Sequence, residues 1–344
     1  MNGGLLKKDW FLALAVSLVF VVAFLSGAPF IKKLEFIAYD AGVSLTNRHP
    51  GAAERIVIIA IDDVSIDRIG RWPWSRTELA KVVRKLAKAK ARIVGIQVPL
   101  SEPQSGVGLK HIRKIKNYVN TTKFPRAANK QVRTLKRYLY SAEMEMNADR
   151  LLSKAIPLRR NVYLPMFFKV GTPDAKSGTK PPSFIRRNRL TAIRGAKSTK
   201  HRPIQTTAVK YPLPEFSRLT AGMGHLSLDP DSDGGIRNEV LLYEHGGKYY
   251  PSLALIMAAR NQNLSPRGIR IDLAKGVKIG KLYIKTDEHM RMLTGFYPRK
   301  KGKSIFKTYS FADVRDGKIP SRRFRNKIVI IGLTTSASDK YLTP

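Results

Sequence analysis

Runs of apolar residues separated by polar turns divide this chain into strand-length and helix-length segments. The sharpest is Ile56–Ile61, six apolar residues in succession. An unbroken run of that length reads as a strand buried on both faces. It stops on Asp62 and Asp63, two carboxylates at the carboxyl end of a predicted central strand, where ligands collect in open α/β sheets. Gly70 marks a turn, and Trp72-Pro73-Trp74 makes a stiff aromatic elbow. Ser75 then caps a helix, with Glu78 completing a Ser-x-x-Glu capping box. Leu79, Val82, Val83, Leu86 and Ala89 form a one-sided stripe from Ser75 to Lys90, with lysines opposite. Arg92–Val98 supplies the next strand, so the stretch reads as a βαβ unit.

Before this unit, Trp10 to Ile31 carries no charge. A helix of that length spans about 33 Å, enough for a bilayer core. The segment predicts a transmembrane helix over 10–31, with 1–9 as a cytoplasmic tail and 32–344 outside. A cleaved signal peptide ending at Ser26-Gly27-Ala28 is the alternative; the length of the run and Pro29 favour a retained anchor. Leu34–Leu45 predicts a short helix with Asp40 midway. Downstream, Gly108–Asn120 predicts a basic surface helix and Gln131–Ala155 a longer helix on the sheet. Asn161–Lys169 reads as a third strand, and 171–205 as a mobile basic excursion. Gly222–Tyr250 alternates around two turn clusters and predicts a β-meander. Pro251–Asn261 predicts a helix, Val277–Thr286 and Met290–Tyr297 strands, and Tyr309–Asp316 a helix closed by Gly317. Lys327–Gly332 predicts a last buried strand. The expected fold class is α/β: a mainly buried sheet with helices on both faces plus a β-meander, preceded by one N-terminal transmembrane helix.

Composition changes this picture in two respects. No cysteine is present among the 344 residues, which excludes disulfides, thiolate metal sites and cysteine nucleophiles. The formal charge is +38, with peaks at Lys110–Lys116, Arg186–Arg202 and Arg299–Lys307. Such a field draws polyanions, among them nucleic acid, anionic lipid and envelope polysaccharide; the alternative is a strongly solvated surface with no dedicated partner. The basic runs lack interleaved aromatics and match no nucleic-acid module, so no specific nucleic acid is expected.

Chemistry is sparse. There is no phosphate-binding loop, dinucleotide glycine triplet, nucleophile elbow or zinc-protease motif. The six histidines are scattered, and none pairs with another at metal-ligand spacing. Asp229, Asp231, Asp233 and Gly234 imitate the start of an EF-hand loop, but Val240 stands where the bidentate glutamate belongs. No metal, cofactor or catalytic residue is therefore expected. If Ile56–Ile61 and Ile328–Ile331 are parallel neighbours, Asp62 and Asp63 share a sheet edge with Gly332, Thr334 and Asp339. Arg76 then reaches the same edge, to pair with Asp62 or an anionic ligand, and Trp72 and Trp74 wall it. These eight residues are the candidate ligand site. The alternative is that Asp62, Arg76 and Asp339 only pin turns. Two functions fit: a membrane-anchored sensor, or an envelope protein whose basic surface holds polyanions. A hydrolase with a cryptic carboxylate site fits less well.

Several separated blocks also carry a family likeness. IAIDDVSI, Gly70 with Trp72-Pro73-Trp74 and Arg76, VGIQVPLSEPQ, GHLSLDPDSDGGIRNEVLLY, PSLALIMA and KIVIIGLTTSASDKYLTP follow one another in the order of the type-two CHASE domain, which the chain resembles over nearly its whole length. That resemblance implies a bacterial sensory module outside the cytoplasmic membrane, most like the sensor region of receptor-type serine/threonine protein kinases. It implies a small-molecule or envelope signal, a cytoplasmic kinase or cyclase effector, and a homodimer joined through membrane helices. Gln97 stands where such domains often carry an acidic residue, which leaves no charged role there.

Overall fold

The computed structural model describes residues 3–26, 29–46, 50–104, 106–172, 181–195, 203–297, 304–336 and 343. Its strands are β1 Ile56–Ile61, β2 Ile93–Ile96, β3 Val162–Val170, β4 Ala192–Arg194, β5 Gln205–Lys210, β6 Gly222–His225, β7 Asn238–Val240, β8 Leu242–His245, β9 Lys248–Pro251, β10 Ile269–Asp272, β11 Gly276–Ile279, β12 Leu282–Lys285, β13 Arg291–Leu293, β14 Lys307–Ser310 and β15 Ile328–Leu333. Its α-helices are α1 Gly3–Leu25, α2 Pro29–Leu45, α3 Asp63–Ile69, α4 Arg76–Lys88, α5 Val107–Thr121, α6 Asn129–Met146, α7 Ala148–Ala155, α8 Ser183–Arg186, α9 Pro214–Ser217, α10 Leu253–Asn261 and α11 Phe311–Asp316.

Nine strands form a mixed sheet in the order β14-β1-β15-β2-β3-β5-β8-β9, with β6 also on β3. The block from β14 to β3, with β6, is parallel. β1 and β15 are in register from Ile56↔Ile328 to Ile61↔Leu333. Alternation along these strands divides their side chains between two cores. Val57, Ile59, Ile61, Val94, Ile96, Val329 and Ile331 pack with Leu79, Val82, Val83 and Leu86 of α4, Leu152 of α7 and Phe311 of α11. Each such α4 side chain contributes about 1.5–3 kcal/mol on burial. Ile93, Tyr163, Ile328 and Ile330 face the other way, against Leu253, Ile256 and Met257 of α10.

α10 is apolar all round because it is covered twice. Leu255 and Ala259 pack against a second sheet, β12-β11-β10-β4. Its first turn lies so close to β6 that a Cβ at Gly224 would stand 2.5 Å from the Leu253 amide nitrogen. The expectation of a sheet with helices on both faces is met.

Five expectations are revised. Trp10–Ile31 is not one helix: α1 ends at Leu25 and α2 starts at Pro29, since proline has no N–H to continue a helix but suits a first turn. Among the described residues no helix is long and apolar enough to cross a membrane. The 131–155 segment is two helices, because Asn147 leaves helical geometry and its side chain caps α7 through the Arg150 amide. Only the β8–β9 hairpin of the expected meander is antiparallel to its sequence neighbour; β6 runs parallel to β3, and β7 pairs with β13. Val277–Thr286 is a hairpin, β11–β12, turned at Gly280. Within 171–205, the described part includes α8 and β4, with Ile185 and Leu190 buried.

Candidate functional site

At the carboxyl edge of the parallel block, β1 hands over to α3 at Asp62, which is the helix cap. Asp62 Oδ1 accepts from the Ser65 amide at 2.9 Å, from Ser65 Oγ at 2.6 Å and from Ser310 Oγ at 2.9 Å. Ser310 precedes α11, so one carboxylate ties the ends of β1 and β14 together. Beside it, the Thr334 amide donates to Ile61 O at 3.0 Å, and the Ser336 amide lies 3.3 Å from both Asp63 carboxylate oxygens. Asp62, Asp63, Gly332 and Thr334 are thus brought together at one junction. Asp339 lies outside the described residues.

The aromatic elbow begins where Gly70 ends α3 at φ +104°, a left-handed conformation that favours glycine. Trp74 Nε1 donates back to Gly70 O at 2.6 Å. Trp72 meets Trp74 edge to face, centroids 5.0 Å apart, and Trp74 leans on Phe311 at 5.1 Å. Ser75 caps α4 as expected, but Glu78 turns away from the cap to Lys81 at 2.8 Å and Arg315 at 3.4 Å.

Arg76 does not reach Asp62. It is ion-paired with Asp149 of α7 and donates to Glu102 O, with its guanidinium 5.3 Å from the Phe216 centroid. The physical reason is direction: the first turn of α4 points Arg76 toward α7 and the loop after β2, and α7 carries the nearly buried carboxylate that a guanidinium requires. That loop is Ser101-Glu102-Pro103-Gln104. Gln104 Oε1 accepts from the Arg76 amide at 2.6 Å, its Nε2 donates to Trp74 O at 2.9 Å, and its amide donates to Asp149 Oδ2 at 2.9 Å. Lys210 Nζ donates to Glu102 Oε1 at 2.8 Å, which holds the Glu102 carboxyl below its ordinary value.

Between elbow and loop opens a cavity of about 350 Å³, lined by Trp72, Trp74, Arg76, Leu100, Glu102, Gln104, Lys210 and Phe311 among others. The seven expected residues that are described therefore separate into two groups. Trp72, Trp74 and Arg76 line the cavity; Asp62, Asp63, Gly332 and Thr334 do not. Asp149, Gln104 and Lys210 escape a reading by sequence because they come from three distant segments. The polar SEPQ loop after a buried strand was the available signal.

A second polar centre ties α2 to the body. Arg237 donates to both Asp40 oxygens, Nε at 2.8 Å and Nη2 at 2.7 Å, and also to Asp231 and Asp233. Its guanidinium lies 4.4 Å from the Phe36 centroid. Asp40, then Asp233, hold the Arg237 pKa above its ordinary value. Arg291 pairs with Asp229, so the carboxylates that imitate a calcium loop are taken up by arginines.

The sequence profile of the CHASE2 domain matches residues 14–344. The chain belongs to that family, whose members are extracytoplasmic, non-catalytic sensory domains of signalling proteins. No curated protein and no solved structure matches it.

Proposed function

We propose that this CHASE2 domain senses a small molecule in the Trp72–Trp74 cavity and passes the signal to a cytoplasmic effector, a serine/threonine kinase or a cyclase. The observation that supports this is the cavity itself. It has an aromatic wall, a few convergent polar groups and a volume in the range of small-ligand sites. Arg76, Asp149 and Gln104 already satisfy one another, so they shape the wall, while the exposed Glu102–Lys210 pair is free to exchange for ligand contacts. A ligand with a flat or aliphatic face against Trp72 and a polar end toward Glu102 and Lys210 fits.

α1 would hold the domain at the bacterial cytoplasmic membrane: Trp10, Phe11, Leu12, Leu18 and Val19 are all more than half exposed and need an apolar environment. α2 and its Asp40–Arg237 tether form the route between α1 and the sheet, and two copies would associate through their N-terminal helices. Ligand that favours one seating of α2 shifts the effector by its differential affinity for the two states.

The test is a thermal-shift screen of small polar and aromatic solutes on the full chain and on Trp72→Ala. A solute that uses the cavity raises the melting temperature of the first and not of the second. Solutes that stabilise both proteins equally, with none selective for the intact elbow, would remove the reading.

A further inference from the structure

At the opposite, amino edge of the sheet lies a larger cavity, about 490 Å³, ringed by Arg160, Arg187, Arg218 and Arg260. Among the described residues no acidic side chain lines it. Arg160 stands just before β3, Arg218 just before β6 in the turn that follows α9, and Arg260 in the last turn of α10. Three segments remote in sequence therefore deliver guanidinium groups to one concavity at the amino ends of two paired parallel strands.

Three further features set it apart from a merely solvated basic surface. Arg187 is fixed: its Nη2 donates to Ser217 O at 2.6 Å and Thr220 O at 2.8 Å, and its Nη1 to Arg218 O at 3.3 Å. Its partners are carbonyls, which leave its charge uncancelled, and burial lowers its pKa. Arg160 holds φ +48°, a left-handed conformation that glycine or asparagine adopts more readily. Arg218 is stacked 5.9 Å from the Phe184 centroid, which restricts its guanidinium as well.

We infer that this cavity is a binding site for a phosphoryl dianion, either on a soluble molecule or on a lipid headgroup. Guanidinium groups pair with phosphate oxygens through parallel N–H donors, and several of them match more than one negative charge. Ile256, Leu264 and Pro266 supply an apolar wall for the organic part of such a ligand. A neighbouring cleft with Arg325 and Lys327 extends the positive field along the same edge and steers anions toward it.

The test is calorimetric titration of inorganic pyrophosphate into the full chain, held in phosphatidylcholine nanodiscs at physiological ionic strength. The comparison is Arg160→Ala/Arg260→Ala against Lys248→Ala/Lys281→Ala, which removes the same charge from exposed positions elsewhere. Both replaced arginines are exposed, so folding should survive, and melting temperatures check it. The expected result is a saturable site weakened roughly tenfold or more by the arginine pair and about twofold at most by the lysine pair. Repeating the titration in nanodiscs with phosphatidic acid separates the sources. Suppressed pyrophosphate binding assigns the site to a lipid headgroup, and unchanged binding assigns it to a soluble phosphoryl compound. Equal weakening by the two variant pairs overturns the site and leaves only diffuse attraction.

Discussion

Replacing Asp40 by alanine should release α2 from the sensory body without unfolding that body. Two charge-assisted hydrogen bonds to Arg237 are lost, at 2.8 and 2.7 Å. Bonds to a charged group are worth about 1.5–3 kcal/mol each when buried. Two facts reduce that figure here. The Asp40 side chain is 35% exposed, so solvent screens it, and Arg237 keeps Asp231 and Asp233, so no guanidinium is left buried and unpaired. The net loss is therefore about 1–2 kcal/mol, a factor of roughly 5–30 in the docking equilibrium of α2. Tyr39 still donates to Thr294 O at 2.7 Å, which limits the effect to local opening. Amide hydrogen exchange of residues 36–45 reads it directly. Those amides should exchange faster by that factor in Asp40→Ala, with β1 and β15 unchanged. Asp233→Asn is the comparator, since the hydrogen bonds of Asp233 go to Arg237 and the Gly235 amide. Unchanged exchange over 36–45 in Asp40→Ala, or equal acceleration in Asp233→Asn, would show that the tether does not hold α2.

Two other outcomes follow from the geometry. Asp62→Ala should cost about 1–3 kcal/mol in urea unfolding, because it removes a helix cap and the serine bonds together, whereas Asp62→Asn keeps an acceptor and should cost less than about 1 kcal/mol. Neither should alter uptake by the cavity, which Asp62 does not line; a selective loss of uptake in Asp62→Asn refutes the structural role. His225 is buried beside Tyr243 and Phe168, and burial lowers its pKa to about 3. The unfolded chain then binds the extra proton first, so this contribution to stability is complete above pH about 6.5 and is lost as pH falls toward 3. His225→Phe should flatten that part of the melting-temperature profile, and a profile that is unchanged between pH 7 and 5 refutes the assignment.

Much of the fold was legible because local pattern and tertiary burial agree. Ile56–Ile61 and Ile328–Ile331 are apolar on both faces, and only strands covered on both faces require that; their parallel pairing followed from the same likeness. Ser75 and Gly317 announce helix ends through chemistry that acts within one turn. The aromatic elbow was equally plain, but the short helix α3 that separates it from β1 was not. Hidden from the sequence were the choices that local chemistry leaves open. Nothing near Arg76 in the chain distinguishes Asp62 from Asp149 as its partner, and nothing near Asp40 names Arg237. The four arginines of the amino edge read only as part of a general positive charge. β6 could join β3 or its sequence neighbours equally well by pattern. Helix packing settles such questions: side-chain direction on α4, α7 and α10 decides which charges meet, and the cost of burying an unpaired charge makes those meetings specific.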